Sequence, residues 1–220
     1  MELLLVRHGL PLRVERADGR PADPSLAPEG VWQARRVARF LARERIAAVV
    51  ASPLRRAKET AAPLAEALGL DVAVEPRIRE ADADASSYVP LEELKRDDRA
   101  AWEAAIRGGI FGGGDPRAFQ RDVVDALEGV IASHPGGRVA VFCHGGVINA
   151  WAAHVLGIDD LLFLDARYTS VSRFLAASSG ERSVASLNET AHLRADLFDD
   201  VPDVSDGVDA AARGGATAAR

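Results

Sequence analysis

The chain has 220 residues, 48% of them hydrophobic, and a formal net charge of −6; that is enough apolar material for one sizeable core, and the balance is too acidic for a generally nucleic-acid-gripping surface. A single cysteine excludes a disulfide framework within the chain and a cysteine-built zinc site. No window approaches the ~18 apolar residues of a membrane span, and the apolar run after Met1 is too short for a signal peptide, so the expected location is the cytoplasm.

Leu3 to Val6 is predicted to be a buried strand that stops at Arg7-His8-Gly9. Residues 10–27 contain three prolines and mixed charges and read as a long loop. Pro28 suits the first turn of a helix, in which Val31, Ala34, Ala38 and Leu41 recur at helical spacing. Ile46 to Ala51 reads as a second buried strand. Ser52-Pro53 then reads as a helix start with Ser52 as N-cap, and Leu54, Ala57, Ala61, Leu64 and Leu68 form its apolar stripe up to Gly69. Asp71 to Glu75 is a third strand. Residues 80–118 are less regular, with an acidic stretch, a helix predicted near Leu91 to Ile106 and a glycine-rich run from Gly108 to Gly114; this segment reads as a cap or insertion over the core.

A helix is predicted from Pro116 to Ser133. Val139 to Cys143 is a further buried strand, ending at His144-Gly145-Gly146 and followed by a helix to about Leu156. Two more strands are expected at Ser172 to Ala176 and Ser183 to Leu187. The main domain is expected over residues 1–199, and residues 200–220, without hydrophobic period, are expected to be a disordered tail. Strands alternating with helices imply an α/β fold with a mostly parallel central sheet between two helical layers. Ligands of such sheets bind beyond the carboxyl ends of the strands. His8, Ser52 and His144 each follow a predicted strand, so segments far apart in sequence should meet at one edge.

Four blocks carry a resemblance. Arg7-His8-Gly9 follows an apolar strand; Ser52 to Ala61 reads SPLRRAKETA; Glu80 follows Ile78-Arg79; Val141 to Gly146 reads VFCHGG. Ser25 to Gly30, with Gln33-Ala34, adds a fifth patch. In this order and spacing they resemble the histidine phosphatase superfamily, the phosphoglycerate-mutase-like proteins. The resemblance implies a three-layer fold with a small insertion over the active site. It also implies His8 as nucleophile, Arg7, Arg56 and His144 as phosphate ligands with catalytic weight, and Glu80 as general acid. Gly9 and Gly145 join the substrate-binding set. No cofactor and no metal are implied, and the expected partner is a small phosphorylated substrate. Nucleic acid and membrane are not expected; a homodimer is left open.

The chemistry of these residue types agrees. A neutral imidazole nitrogen can attack phosphorus and hold the phosphoryl group covalently; the other ring nitrogen should then donate to a backbone carbonyl. Forked guanidinium donors fit the phosphoryl oxygens in a way that lysine cannot copy. The chain departs from the family pattern in three places. Leu10-Pro11-Leu12 stands where the mutases have a more polar sequence, and Ala81 to Ala85, reading ADADA, stands where a Gly and Trp-Glu-Gly are common; Ala27 also replaces a capping threonine. Both segments would shape the pocket, and they favour a phosphatase over a mutase; the further alternative, a phospho-ligand-binding module without catalysis, is disfavoured because the nucleophile and both arginines are present. Outside the blocks, Cys143 reads as a buried filler, His134, His154 and His192 as structural, and Trp32, Trp102 and Trp151 as packing residues. Gly112 to Gly114 lacks the Lys-Ser/Thr of a P-loop. Arg173 is a candidate for reaching the pocket and touching an acid group of the substrate.

Overall fold

The apolar run that opens the chain forms β1 (Glu2–Arg7), whose residues from Leu3 onward are buried. Parallel β6 (Arg138–Cys143) flanks it on one side and antiparallel β7 (Val171–Ala176) on the other. Beyond β6 the sheet continues in parallel through β3 (Ala48–Ala51) and β4 (Val72–Val74); beyond β7 it ends in antiparallel β8 (Arg182–Glu189). The order is therefore β4-β3-β6-β1-β7-β8. This computed structural model describes residues 1–90, 95–100, 102–103 and 114–194.

Side chains alternate across a strand, and β1 shows the consequence. Leu3 and Leu5 pack with Val139, Val141 and the helices α3 (Pro116–Ser133) and α4 (Gly145–Leu156). Leu4 and Val6 pack on the opposite face with Ala140, Phe142 and the helices α1 (Pro28–Leu41) and α2 (Arg55–Leu68). All four β1 side chains have no solvent exposure, which is worth roughly 1.5–3 kcal/mol for each. Burial on both faces is why β1 and β6 read as unbroken apolar runs rather than alternating ones.

The helix ends follow local chemistry. Pro116 opens α3 behind Asp115, whose side chain accepts from the Arg117 N–H at 2.9 Å. Gly69 and Gly157 end α2 and α4 with φ of 64° and 67°, the left-handed region that glycine enters without strain. Ala27 gives α1 no side-chain cap.

Several expectations are corrected. Helix α2 begins at Arg55, with Leu54 as its N-cap, so Ser52 is not the cap. Val31 and Trp32 lie on the exposed side of α1, while Val37 takes the core position. The loop over residues 10–27 contains a two-residue strand, β2 (Val14–Glu15), which pairs with β5 (Ser87–Tyr88). Trp151 is buried in the core as expected. The helix expected near Leu91 to Ile106, the Gly108 to Gly114 run and the tail over 200–220 lie largely or wholly outside the described residues. Among those residues, no helix is long and apolar enough to cross a membrane.

Candidate active site

Three strand ends form the floor of one site. The His8 N–H donates to the Cys143 carbonyl at 3.0 Å and the Ser52 N–H to the Phe142 carbonyl at 2.9 Å. The ends of β1, β3 and β6 are thereby held level, and the His8 and His144 rings come to 5.1 Å between centroids. Arg56, in the first turn of α2, reaches back to the same place. Its Nε lies 3.3 Å from His8 Nε2.

That contact fixes the state of the His8 ring. A guanidinium nitrogen can only donate, so His8 Nε2 must offer its lone pair. Its Nδ1 then carries the proton and donates to the Gly9 carbonyl at 2.8 Å. Burial, with Arg56 and Arg7 beside it, holds the imidazole well below its ordinary range. His144 is depressed for the same reasons, burial first and then Arg56; its Nε2 lies 2.7 Å from Ser52 Oγ. Ser52 is therefore a site residue, with its hydroxyl on the second histidine.

Both arginines are almost fully buried, Arg7 7% exposed and Arg56 1%. Two cations so deep in a fold are costly unless they meet anions or acceptors. Arg7 Nη1 donates to the Ala166 carbonyl, and Arg56 Nη1 lies 4.0 Å from Asp23 Oδ1. Among the described residues, Arg56 Nη1 and His144 Nδ1 are buried polar atoms with no hydrogen-bond partner.

Glu80 enters from the opposite side, just past a short 3₁₀ turn at Pro76–Ile78. Its Oε2 accepts from the Gly146 N–H at 3.0 Å and its Oε1 from the Ala81 N–H at 3.1 Å. A side chain at Gly146 would overlap this carboxylate, so the second glycine of the His144 block makes room for the acid. Burial, reinforced by the neighbouring Asp82 carboxyl, raises Glu80 above the usual carboxylate range; burial raises Asp82 as well.

The outer wall is built where the chain runs on from the two segments that depart from the family pattern. β2 and β5 pair Val14 with Tyr88 and Glu15 with Ser87. The Ala22 N–H donates to the Ala85 carbonyl at 2.8 Å and the Arg16 N–H to the Ser86 carbonyl at 3.0 Å. The loop after His8 is thus joined to the segment after Glu80. Tyr88 brings its ring over Arg56, with the guanidinium carbon 4.7 Å from the centroid. Across the site Tyr168 does the same for Arg7 at 3.9 Å. The residue after Tyr168 is strained: Thr169 has φ of 55°, a conformation that costs a β-branched residue on the order of 1–3 kcal/mol.

The structure brings Arg7, His8, Arg56, Glu80 and His144 together. Gly9 is present, but its N–H is engaged by Thr60 Oγ1 at 3.0 Å and its carbonyl by His8. It also passes α1 closely: a Cβ on Gly9 would lie 2.6 Å from the Gly30 carbonyl oxygen. Gly145 opens α4 beside Arg7, and its carbonyl accepts from Asn149. Arg173 is not at the site; it pairs with Glu2, Glu44 and Glu189 at the other end of the sheet. Cys143 is buried in the core, and burial pushes its thiol up, which leaves it inert as a nucleophile. Sequence reasoning placed Ser52 at this edge but missed its bond to His144, and it missed the parts played by Thr60, Gly146, Tyr88 and Tyr168. Gly146 had a signal in its place in the His144 block; the tyrosines had none.

A model of the histidine phosphatase superfamily, branch 1, matches residues 3–190. Phosphoserine phosphatase 1 of Hydrogenobacter thermophilus is 32% identical over 205 residues, covering 88% of this chain and 94% of that protein. A probable phosphoglycerate mutase, GpmB, of an Enterobacter species is 28% identical over 164 residues, covering 72% of this chain and 76% of that one. Two solved structures share the fold. The complex of a mycobacterial glucosyl-3-phosphoglycerate phosphatase with inorganic phosphate has a TM-score of 0.68 at 24% identity, covering 88% of this chain and 99% of that one. A phosphoserine phosphatase mutant of Entamoeba histolytica with bound phosphoserine has a TM-score of 0.67 at 19% identity, with the same coverage.

Proposed function

Because this chain belongs to the histidine phosphatase superfamily, we propose that it hydrolyses a phosphate monoester through a phosphohistidine formed on His8. The observation that carries this reading is the state of His8: a buried neutral imidazole whose Nδ1 is tied to the Gly9 carbonyl and whose Nε2 lone pair faces a guanidinium. The ring is already in the tautomer that attack requires, and no proton has to be removed from it first.

In the first step Nε2 attacks phosphorus, the bond to the leaving oxygen breaks, and protonated Glu80 gives that oxygen its proton. Arg7, Arg56 and His144 hold the non-bridging oxygens as charge shifts onto them. The Leu54 N–H donates to Ser52 Oγ at 3.3 Å, so the Ser52 hydroxyl proton can go to His144 Nε2 and leave Nδ1–H as a donor toward the phosphoryl group. In the second step water attacks phosphorus, the Glu80 carboxylate takes its proton, and the N–P bond breaks. The sum is ester plus water to alcohol plus phosphate. The two buried arginines carry the compensating charge, so turnover should be insensitive to chelator.

The mutase relative favours a second reading, in which the phosphoryl group returns from His8 to another hydroxyl of the product. One assay separates these outcomes: release of phosphate from an aryl phosphate by the wild type and by His8→Ala, with and without chelator, followed by a product analysis on phosphoglycerate. Chelator-resistant release by the wild type alone supports the phosphatase. Isomerised phosphoglycerate without free phosphate supports the mutase. Equal release by His8→Ala overturns both.

A further inference from the structure

The chain contains two tyrosines, and both lie against the two arginines of the site. Tyr168 lies under Arg7 at 3.9 Å and Tyr88 under Arg56 at 4.7 Å, guanidinium carbon to ring centroid. They come from unrelated parts of the chain, one from the loop before β7 and the other from the two-residue strand β5. The Tyr168 loop is also held under strain. Thr169 sits at φ 55°, with its N–H on the His8 carbonyl at 3.3 Å. Its hydroxyl bonds the Tyr168 carbonyl at 2.8 Å and lies 3.2 Å from His192 Nε2. A backbone kept in an unfavourable conformation by several partners at once is the pattern expected where position matters.

The geometry has a chemical reason. A guanidinium carries its five N–H donors in one plane. In-plane partners already hold part of each group: Arg7 Nη1 donates to the Ala166 carbonyl, Arg56 Nε to His8 Nε2, and Arg56 Nη1 lies 4.0 Å from the Asp23 carboxylate. A ring face attracts the same cation through its quadrupole without taking a further N–H. His8 also gains, since the Tyr168 ring lies 5.7 Å from its imidazole.

We propose that Tyr168 and Tyr88 are positioning residues for the two phosphate-binding arginines, each fixing a guanidinium by its face so that the in-plane donors stay directed at the phosphoryl oxygens. This rests on the proposed phosphoryl-transfer function for its catalytic consequence, but not for the stacking itself.

The test uses the full chain, with Tyr168→Leu, Tyr88→Leu and the matching Phe variants. Three readouts are taken: the arginine Nε–Hε resonances, binding of inorganic phosphate by calorimetry, and turnover of an aryl phosphate. Each Leu variant should shift its own arginine's resonance by removing the ring current. It should also weaken phosphate binding and lower turnover by about ten-fold, within the range of a desolvated cation–π contact. Phe keeps the ring face and should recover most of each loss, which a purely structural role for the hydroxyl would not allow. Thermal melting identifies a variant that has lost its fold; Tyr88, half-buried on a short outer strand, keeps the test informative if Tyr168→Leu unfolds. Folded Leu variants with wild-type resonances and wild-type phosphate affinity would overturn the proposal, as would Phe variants as impaired as the Leu ones. A wild type that turns over neither aryl phosphate nor phosphoglycerate would instead overturn the functional reading, with the resonance shifts still deciding the stacking.

Discussion

The floor of the site and its outer wall are held by different kinds of interaction. The floor hangs on the ends of three neighbouring strands, locked by backbone register and backed by two fully buried core layers. The wall is a pair of two-residue strands, with exposed ion pairs along the β2 segment, Arg13 with Glu15 and Arg16 with Asp18. Shifting a floor residue means shifting a strand of the central sheet, and a sheet packed on both faces resists that. Shifting a wall residue disturbs mostly surface contacts, apart from Tyr88, whose ring lies on Arg56. Under the proposed function the floor would meet the phosphoryl group and the wall the rest of the substrate.

Substitutions on the two sides test this division. The largest effect should come from Glu80→Gln, a loss of roughly 10²–10⁴ in the rate of the first step with an alkyl phosphate, and much less with an aryl phosphate whose leaving group needs little protonation. The pH profile sharpens the point. His8 is depressed, so it stays neutral to a pH well below the ordinary imidazole value of 6.5 and the acid limb should lie below that value. Glu80 is raised above its ordinary 4.5, so it stays protonated further up the scale, and the rate of the first step should fall as pH rises through the elevated value. In Glu80→Gln that alkaline limb should vanish. An unchanged limb in single-turnover measurements would assign the acid elsewhere, with Asp82 the first candidate.

Arg56→Lys should lose about 10²–10³ in kcat, since a single ammonium replaces one in-plane fork and no longer faces the His8 lone pair from Nε. Recovery of most of the rate by lysine would mean that charge alone matters on the floor. At the small end stands Asp18→Ala on the wall. Its carboxyl, held down to about 2 by the Arg16 guanidinium, is exposed, and exposed pairs contribute little. Turnover of an aryl phosphate should change by less than about two-fold. A larger loss would show that the exposed ion pairs of the wall, and not only Tyr88, are coupled to the chemistry.

The same division explains what could be read from the sequence. β1 and β6 announce themselves as short apolar runs ending in His8 and His144, and a parallel buried strand leaves little else for such a run to be. Arg56 and Glu80 were legible only through the family blocks, because nothing in local periodicity tells a site arginine from Arg55, which is exposed and pairs with Glu59. β2 and β5 were not legible: two-residue strands have no period, and their pairing joins residues more than seventy positions apart. Ser52 was misread because Ser-Pro after a strand is a strong helix-start signal. The hydroxyl is held instead against His144, a contact set by the tertiary structure. Arg173 carried a charge that looked useful, but it lies at the far end of the sheet, among three carboxylates.

The central claim is a phosphoryl group on His8, and the most direct measurement is to trap it. The enzyme is mixed with an aryl phosphate, quenched in alkali where phosphohistidine survives, digested and read by mass spectrometry. The expected result is one phosphorylated peptide containing residues 7–9, with the modification on His8 in the wild type, accumulating in Glu80→Gln and absent from His8→Ala. A modification on another residue, or turnover in which no enzyme-bound phosphoryl group forms at any time point, would contradict it.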